Sequence, residues 1–169
     1  DLIVDEAAGE SPLWAASLRP AGQREPVPVF SPLADPAFAI GVETIYEGYL
    51  LHYGAPRLFA PADEDTALLL GDYLYAHGLV RVAATGSVDA VYDLAELISL
   101  CAQARAESGS GEAEAWAATA ALLGAGGLAD ARTALRERRD PSLLDRVARL
   151  AAGDAAVDEA VAAHHARVG

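Results

Sequence analysis

The sequence predicts an all-α protein, a helical bundle. Over most of the chain after residue 36, apolar residues recur at intervals of three and four. No segment shows the alternation of apolar and polar residues that is typical of a half-buried strand. The 169 residues, of which 53% are hydrophobic, are enough for one domain with a substantial core. We therefore expect a single helical domain, preceded by a segment of different character.

That first segment is distinguished by its prolines. Six of the nine prolines of the chain occur within the first 36 residues, at positions 12, 20, 26, 28, 32 and 36. Each proline removes a backbone donor and restricts the residue before it. Residues 1–35 are therefore predicted to form an extended arm, and residues 36–169 the helical domain.

Two long helices are predicted at the start of the helical domain. Asp35 is a good N-cap and Pro36 suits the first helical position, so we expect a helix over 36–53. After a break rich in glycine and proline, the acidic residues at 63–65 favour a second helix over 62–84. Its middle is apolar on nearly every face, which predicts a central position among other helices.

Both long helices carry two glycines that are seven residues apart, Gly41 and Gly48 in the first and Gly71 and Gly78 in the second. This spacing puts each pair on one side of its helix, so the two smooth sides are predicted to pack closely. Such packing would offset the roughly 1 kcal/mol that a mid-helix glycine costs relative to alanine. Simple tolerance of glycine is the alternative.

The remaining helices are separated by turns rich in glycine and serine. Ser87 is a candidate cap for a third helix that ends near residue 106. Shorter helices are predicted over 112–123, 128–138, 141–152 and 154–167.

Charge and composition exclude several classes of partner. The formal net charge is −13, and all twelve cations are arginine. Because this charge repels phosphate backbones and anionic lipids, we do not expect nucleic acid or membrane surfaces as partners. No uncharged apolar run approaches the roughly 20 residues that span a bilayer. The single cysteine, Cys101, is predicted to be a buried thiol. A cytoplasmic location is the simplest expectation.

The chemistry-bearing residues do not form a recognisable catalytic or metal motif. His52 and His77 fall in predicted core helices, whereas His164 and His165 fall in the last turns of a helix, where cations suit the dipole. Glu43 and Glu47 could approach Asp65 and Asp72 as a carboxylate cluster, but the Glu-x-x-His motif of di-iron bundles is absent from the sequence. The expectation is therefore no metal, no cofactor and no catalytic residue.

Residues 67–106 carry a resemblance to a known family. The run Leu70-Gly71-Asp72-Tyr73-Leu74 in an apolar helix, the Thr85-Gly86 turn and the following Leu94-Ala95-Glu96-Leu97-Ile98 helix are similar to the polyprenyl synthetase family, the trans-prenyl diphosphate synthases. About forty residues align without a gap. The resemblance implies the helical core of an isoprenoid synthase.

Upstream, residues 42–54 resemble the family helix that ends in Ser-Leu-Ile-His before the first aspartate-rich motif. His52 takes the histidine position, but Tyr53 and Gly54 stand where the family has its leading aspartates, which hold magnesium. Trp116 stands near the place of the diphosphate-binding lysine, and the second aspartate-rich motif is absent from the sequence. The resemblance thus implies the fold without the reaction.

Family members with such losses act as small or regulatory subunits, so the resemblance implies a non-catalytic accessory subunit that packs on a catalytic prenyl synthase. A homo-oligomer is left open. One alternative is a structural subunit of an unrelated assembly, with the proline-rich arm wrapping a neighbour; another is a diverged terpenoid-type enzyme or lipid binder. The candidate ligand-binding or cavity residues are His52, Tyr53, Asp72, Tyr49, Tyr73 and His77.

Overall fold

A computed structural model describes residues 1–168, which form nine α-helices and no β-strand. The all-α prediction is confirmed. The helices are α1 Leu2–Glu10, α2 Pro12–Ala16, α3 Ala39–Tyr53, α4 Glu64–Ala83, α5 Val88–Ala106, α6 Glu112–Ala121, α7 Ala129–Arg138, α8 Ser142–Ala152 and α9 Asp154–Val168. Within residues 1–168, no helix has both the length and the apolar character needed to cross a membrane.

The seven helices predicted after residue 36 are confirmed, and side-chain caps mark where α4 and α5 begin. Asp63 accepts a hydrogen bond from the Thr66 amide at 2.7 Å at the start of α4. Ser87 accepts one from the Ala90 amide at 3.2 Å at the start of α5. These bonds satisfy amides that lack an intrahelical partner, which is why such residues mark helix starts in sequence.

The prediction of an extended arm over residues 1–35 is wrong at its beginning, where α1 and α2 form. α1 ends before the first proline, and Asp1 caps it by accepting a hydrogen bond from the Ile3 amide at 3.0 Å. α2 begins at Pro12, because proline has no amide hydrogen to satisfy at a first helical position. From residue 17 to 35 the chain contains only short 3₁₀ turns.

The arm packs against its own chain. The Arg19 amide donates to Leu58 O at 3.0 Å, and the Ala60 amide donates to Ser17 O at 2.7 Å. Val29 and Phe30 are buried in the main core, which also contains residues of α3, α5 and α6. The arm is therefore part of the folded domain.

The central helix is α3, not α4 as the apolar composition of α4 predicted. Eleven of the fifteen residues of α3 are buried. On α4, by contrast, Leu69 is 58% exposed and Val80 is 66% exposed. The prediction failed because apolar residues on all sides of a helix do not show which sides the tertiary structure covers.

The four glycines lie between α3 and α4. A Cβ atom on Gly48 would lie 2.9 Å from Gly71 O, and one on Gly41 would lie 2.5 Å from Val82 Cγ2. A Cβ atom on Gly71 would lie 2.6 Å from His52 Nε2, and one on Gly78 would collide with Ile45. These distances are too short for a side chain, so α3 and α4 approach along glycine surfaces.

Candidate functional site

The six residues predicted to line a cavity fall into two groups. In the first group, His52 Nε2 lies 3.2 Å from Asp72 Oδ1, and the His52 ring is 5.6 Å from the Tyr53 ring. The Tyr53 ring is in turn 5.3 Å from the Tyr49 ring. Burial lowers the pKa of His52, and the nearby Asp72 carboxylate opposes that shift.

The second group, Tyr73 and His77, faces the N-terminal helices. The Tyr73 ring stacks on the His77 ring at 5.4 Å and lies 5.6 Å from the Trp14 ring of α2. His77 Nε2 lies 2.6 Å from Glu6 Oε2, and Arg81 also pairs with Glu6. These hydrogen bonds hold α1 against α4.

Glu43 and Glu47 form ion pairs with the buried Arg57. They do not form a cluster with the aspartates of α4. Arg57 Nη1 donates to Glu43 Oε2 at 2.6 Å, and Arg57 Nε donates to Glu47 Oε2 at 2.9 Å. The other oxygen of Glu43 accepts from the amides of residues 29–31 at 2.8–3.0 Å, and Arg57 Nη1 also donates to Val27 O. Glu43 thus attaches the arm to α3 directly, and Glu47 helps to hold the arginine that also donates to the arm.

A second buried polar cluster connects α3, α5 and α6. Tyr49 Oη donates to Glu112 Oε1 at 2.9 Å. Arg105 Nε donates to both oxygens of the Glu112 carboxylate, at 2.9 and 2.8 Å, and Arg105 Nη2 donates to Tyr49 Oη at 3.0 Å. Burial raises the pKa of Tyr49, so its phenol stays protonated.

His164 of α9 lies beside this cluster and is almost fully buried. Its Nδ1 lies 3.2 Å from Tyr46 Oη, and its ring is 5.6 Å from the Tyr49 ring. Burial, with a smaller contribution from His165, lowers the pKa of His164 to about 4. His164 is therefore neutral at pH 7, because the core desolvates it.

A polar cavity of about 270 Å³ opens next to the cluster. Arg105, the loop 109–111 and the first turn of α6 line one side, and His164 and His165 line the other. Its volume is near the lower end of the roughly 300–1,000 Å³ of small-molecule sites. Of the predicted residues only Tyr49 contributes to this polar cluster.

Sequence reasoning missed Arg105, Glu112 and the role of His164. Tyr49 and Glu112 are 63 positions apart, and Tyr46 and His164 are 118 apart, so no local pattern connects them. One signal was available: Glu112 follows a glycine-rich loop at a helix start, where the macrodipole favours a carboxylate.

Within residues 1–168, no three His, Cys, Asp or Glu side chains are grouped so that they could hold a metal ion. Cys101 is buried, and burial raises the pKa of its thiol. Comparisons of the chain with family models, with curated proteins and with solved structures find no match in any of the three.

Proposed function

We propose that the chain is a non-catalytic helical subunit that binds a partner protein through one face of α4. We define this outer face by the exposed residues Leu69, Ala76 and Val80, together with Tyr73, which Trp14 of α2 partly covers. These residues follow one another at intervals of four, three and four and so lie along one side of the helix. Leu69 and Val80 are more than half exposed. This exposed apolar stripe is the observation that carries the proposal.

The spacing of the stripe matches the way in which one helix binds another. Helices that pack in a groove or in a pair use apolar residues at i, i+4, i+7 and i+11. Trp14 of α2 packs on Tyr73, and Leu13 beside it is 47% exposed, so the apolar surface continues beyond α4.

The charges along the outer face favour a basic partner. Asp65 and Asp72 are exposed, seven residues apart, along one edge of the stripe. On the other edge, His77 and Arg81 are already engaged by Glu6. An amphipathic helix with arginine or lysine beside its apolar residues would complement the acidic edge.

A second copy of the chain fits this face less well. Antiparallel two-fold packing of α4 on α4 would bring the acidic edges together, and like charges at such positions destabilise a helix pair. The net charge of −13 on each copy adds further repulsion. We therefore assign the face to a different protein.

The partner that the sequence supports best is a long-chain prenyl diphosphate synthase, because residues 42–106 resemble that family. The proposed role is that of an accessory subunit that changes the length or the rate of formation of the polyprenyl product. The proposed docking face belongs to α4, which is one of the helices that carry the resemblance.

The test is co-purification of the chain with a long-chain prenyl diphosphate synthase from the same cell. We expect a complex and a changed product length with the wild type, and loss of both in the double variant Leu69→Glu, Val80→Glu. The control is Leu150→Glu, at a residue of α8 that is 79% exposed, which should bind as the wild type does.

Two results would contradict the proposal. A synthase whose product length and rate do not respond to the chain would exclude the role of accessory subunit. Sedimentation of the chain alone as a dimer, abolished by the same double variant, would show that the outer face binds a second copy.

A further inference from the structure

The polar cavity beside Glu112 suggests a ligand site that is independent of the outer face of α4. It lies where the end of α5, the start of α6 and the end of α9 meet. Its lining combines free backbone amides, an arginine and a buried histidine. The chemistry of these groups indicates what the cavity can bind.

The first turn of α6 supplies backbone donors. The Ala115 amide donates to Gly111 O at 2.9 Å, so the amides of residues 112–114 have no acceptor within the helix. Among residues 1–168 no side chain caps α6. Gly111, Glu112 and Ala113 are buried, and buried amides need an acceptor from a ligand or from water.

His164 provides an independent indication of a ligand, because it is 99% buried and still lines the cavity. Its Nδ1 faces Tyr46 Oη, and no residue among 1–168 forms a hydrogen bond with its Nε2. If Tyr46 donates to Nδ1, the proton of the neutral ring is on Nε2. The ring then offers one further donor.

Arg105 adds a charged donor. Its Nε is bound to Glu112 and its Nη2 to Tyr49, whereas Nη1 has no hydrogen-bond partner among residues 1–168. The Glu112 carboxylate accepts from both Tyr49 and Arg105, so its negative charge is largely compensated. The groups left to a ligand are therefore mainly donors.

We propose that this cavity binds a small oxyanion, a carboxylate or a phosphate group, between the first turn of α6, Arg105 and His164. Free amides at a helix start and an arginine beside them are the usual donors for such groups. Glu114 also lines the cavity, and its negative charge favours an anion of low charge. Neither the outer face of α4 nor its partner is needed for this binding.

The test is an NMR titration of the full chain at pH 7 with acetate, with inorganic phosphate and, at matched ionic strength, with chloride. We expect saturable shifts of the amides of residues 112–114 and of the His164 ring. Saturation by acetate alone or by phosphate alone would identify the group that the ligand carries. Equal responses to all three salts would overturn the proposal.

Two cavity variants and one control make the test specific. Arg105→Gln should weaken binding about tenfold or more, because it removes the charged donor. His165→Ala changes an exposed residue of the lining, so it should fold normally and alter the binding shifts near α9. Arg146→Gln removes the same charge from the exposed side of α8 and should leave binding unchanged. Equal weakening of binding in Arg105→Gln and Arg146→Gln would show that the loss follows the net charge of the protein, and would overturn the proposed site.

Discussion

At the scale of single residues, the structure depends on a buried arginine that is paired with two carboxylates. Arg57 is 2% exposed and is bound by Glu43, Glu47 and the Val27 carbonyl. A buried guanidinium is tolerated only when such partners replace its hydration. The pair Glu43 and Glu47, which the sequence presents as a conceivable metal cluster, is therefore structural.

His164 makes the stability of the protein depend on pH. Its pKa is about 4 in the folded chain, against 6.5 for an ordinary histidine. Below pH 6.5 the unfolded chain therefore binds a proton that the folded chain does not bind until the pH falls to about 4. The free energy of unfolding should decrease by up to about 3 kcal/mol over this window.

Urea unfolding of the wild type and of His164→Gln, followed between pH 7.5 and pH 4, measures this contribution. The variant should be less stable at pH 7.5 and should show a weaker dependence on pH. His165→Gln changes an exposed histidine and should keep the slope of the wild type. Identical slopes in all three proteins would contradict burial of a neutral His164.

At the scale of elements, the glycines of α3 and α4 determine how closely these helices approach. Gly48 of α3 lies against the backbone of Gly71, and no rotamer change can move a carbonyl oxygen away. A side chain there would push the helices apart. Since α3 also holds Arg57 through its two glutamates, this displacement would affect the arm.

Gly48→Ala should destabilise the protein by about 1–3 kcal/mol, the usual cost of overpacking in a core. The control is Gly9→Ala in α1, where a Cβ atom meets nothing within 4 Å. That change should be neutral or stabilising by about 0.5–1 kcal/mol, because alanine is the better helix former. Thermal unfolding of both variants makes the comparison, and an equal effect of the two would argue against tight packing of α3 on α4.

At the scale of the whole molecule, the N-terminal helices complete a second core. Ile3, Val4 and Ala7 of α1 are buried in a cluster with Leu58 and Phe59, which follow α3. Glu6 adds polar bonds to α4. The first 35 residues therefore contribute to the stability of the domain.

Ile3→Ala should cost about 2–4 kcal/mol, the range for truncating a buried aliphatic side chain. Leu2→Ala changes a neighbour that is 50% exposed and should stay within about 0.5 kcal/mol of the wild type. Urea unfolding measures both changes, and hydrogen exchange tests whether α1 opens separately. A cost of less than about 0.5 kcal/mol for Ile3→Ala would show that α1 is not integral to the fold.

The sequence by itself determined the fold class and the helices after residue 36. Caps such as Asp63 and Ser87, and the glycine and proline breaks between helices, act over a few residues, so they can be read locally. The same local reasoning failed for residues 2–16, because the proline content of residues 12–36 was taken to exclude a helix there.

Only the tertiary structure decided which helix is central, which charges pair and where the polar cavity lies. The exposed side of α4 depends on what packs around it, and the pairing of Arg57 with Glu43 and Glu47 depends on the turn that follows α3. The bonds between Tyr49 and Glu112 and between Tyr46 and His164 join residues 63 and 118 positions apart. Such contacts follow from the packing of distant helices, and the periodicity of each helix carries no information about its partners.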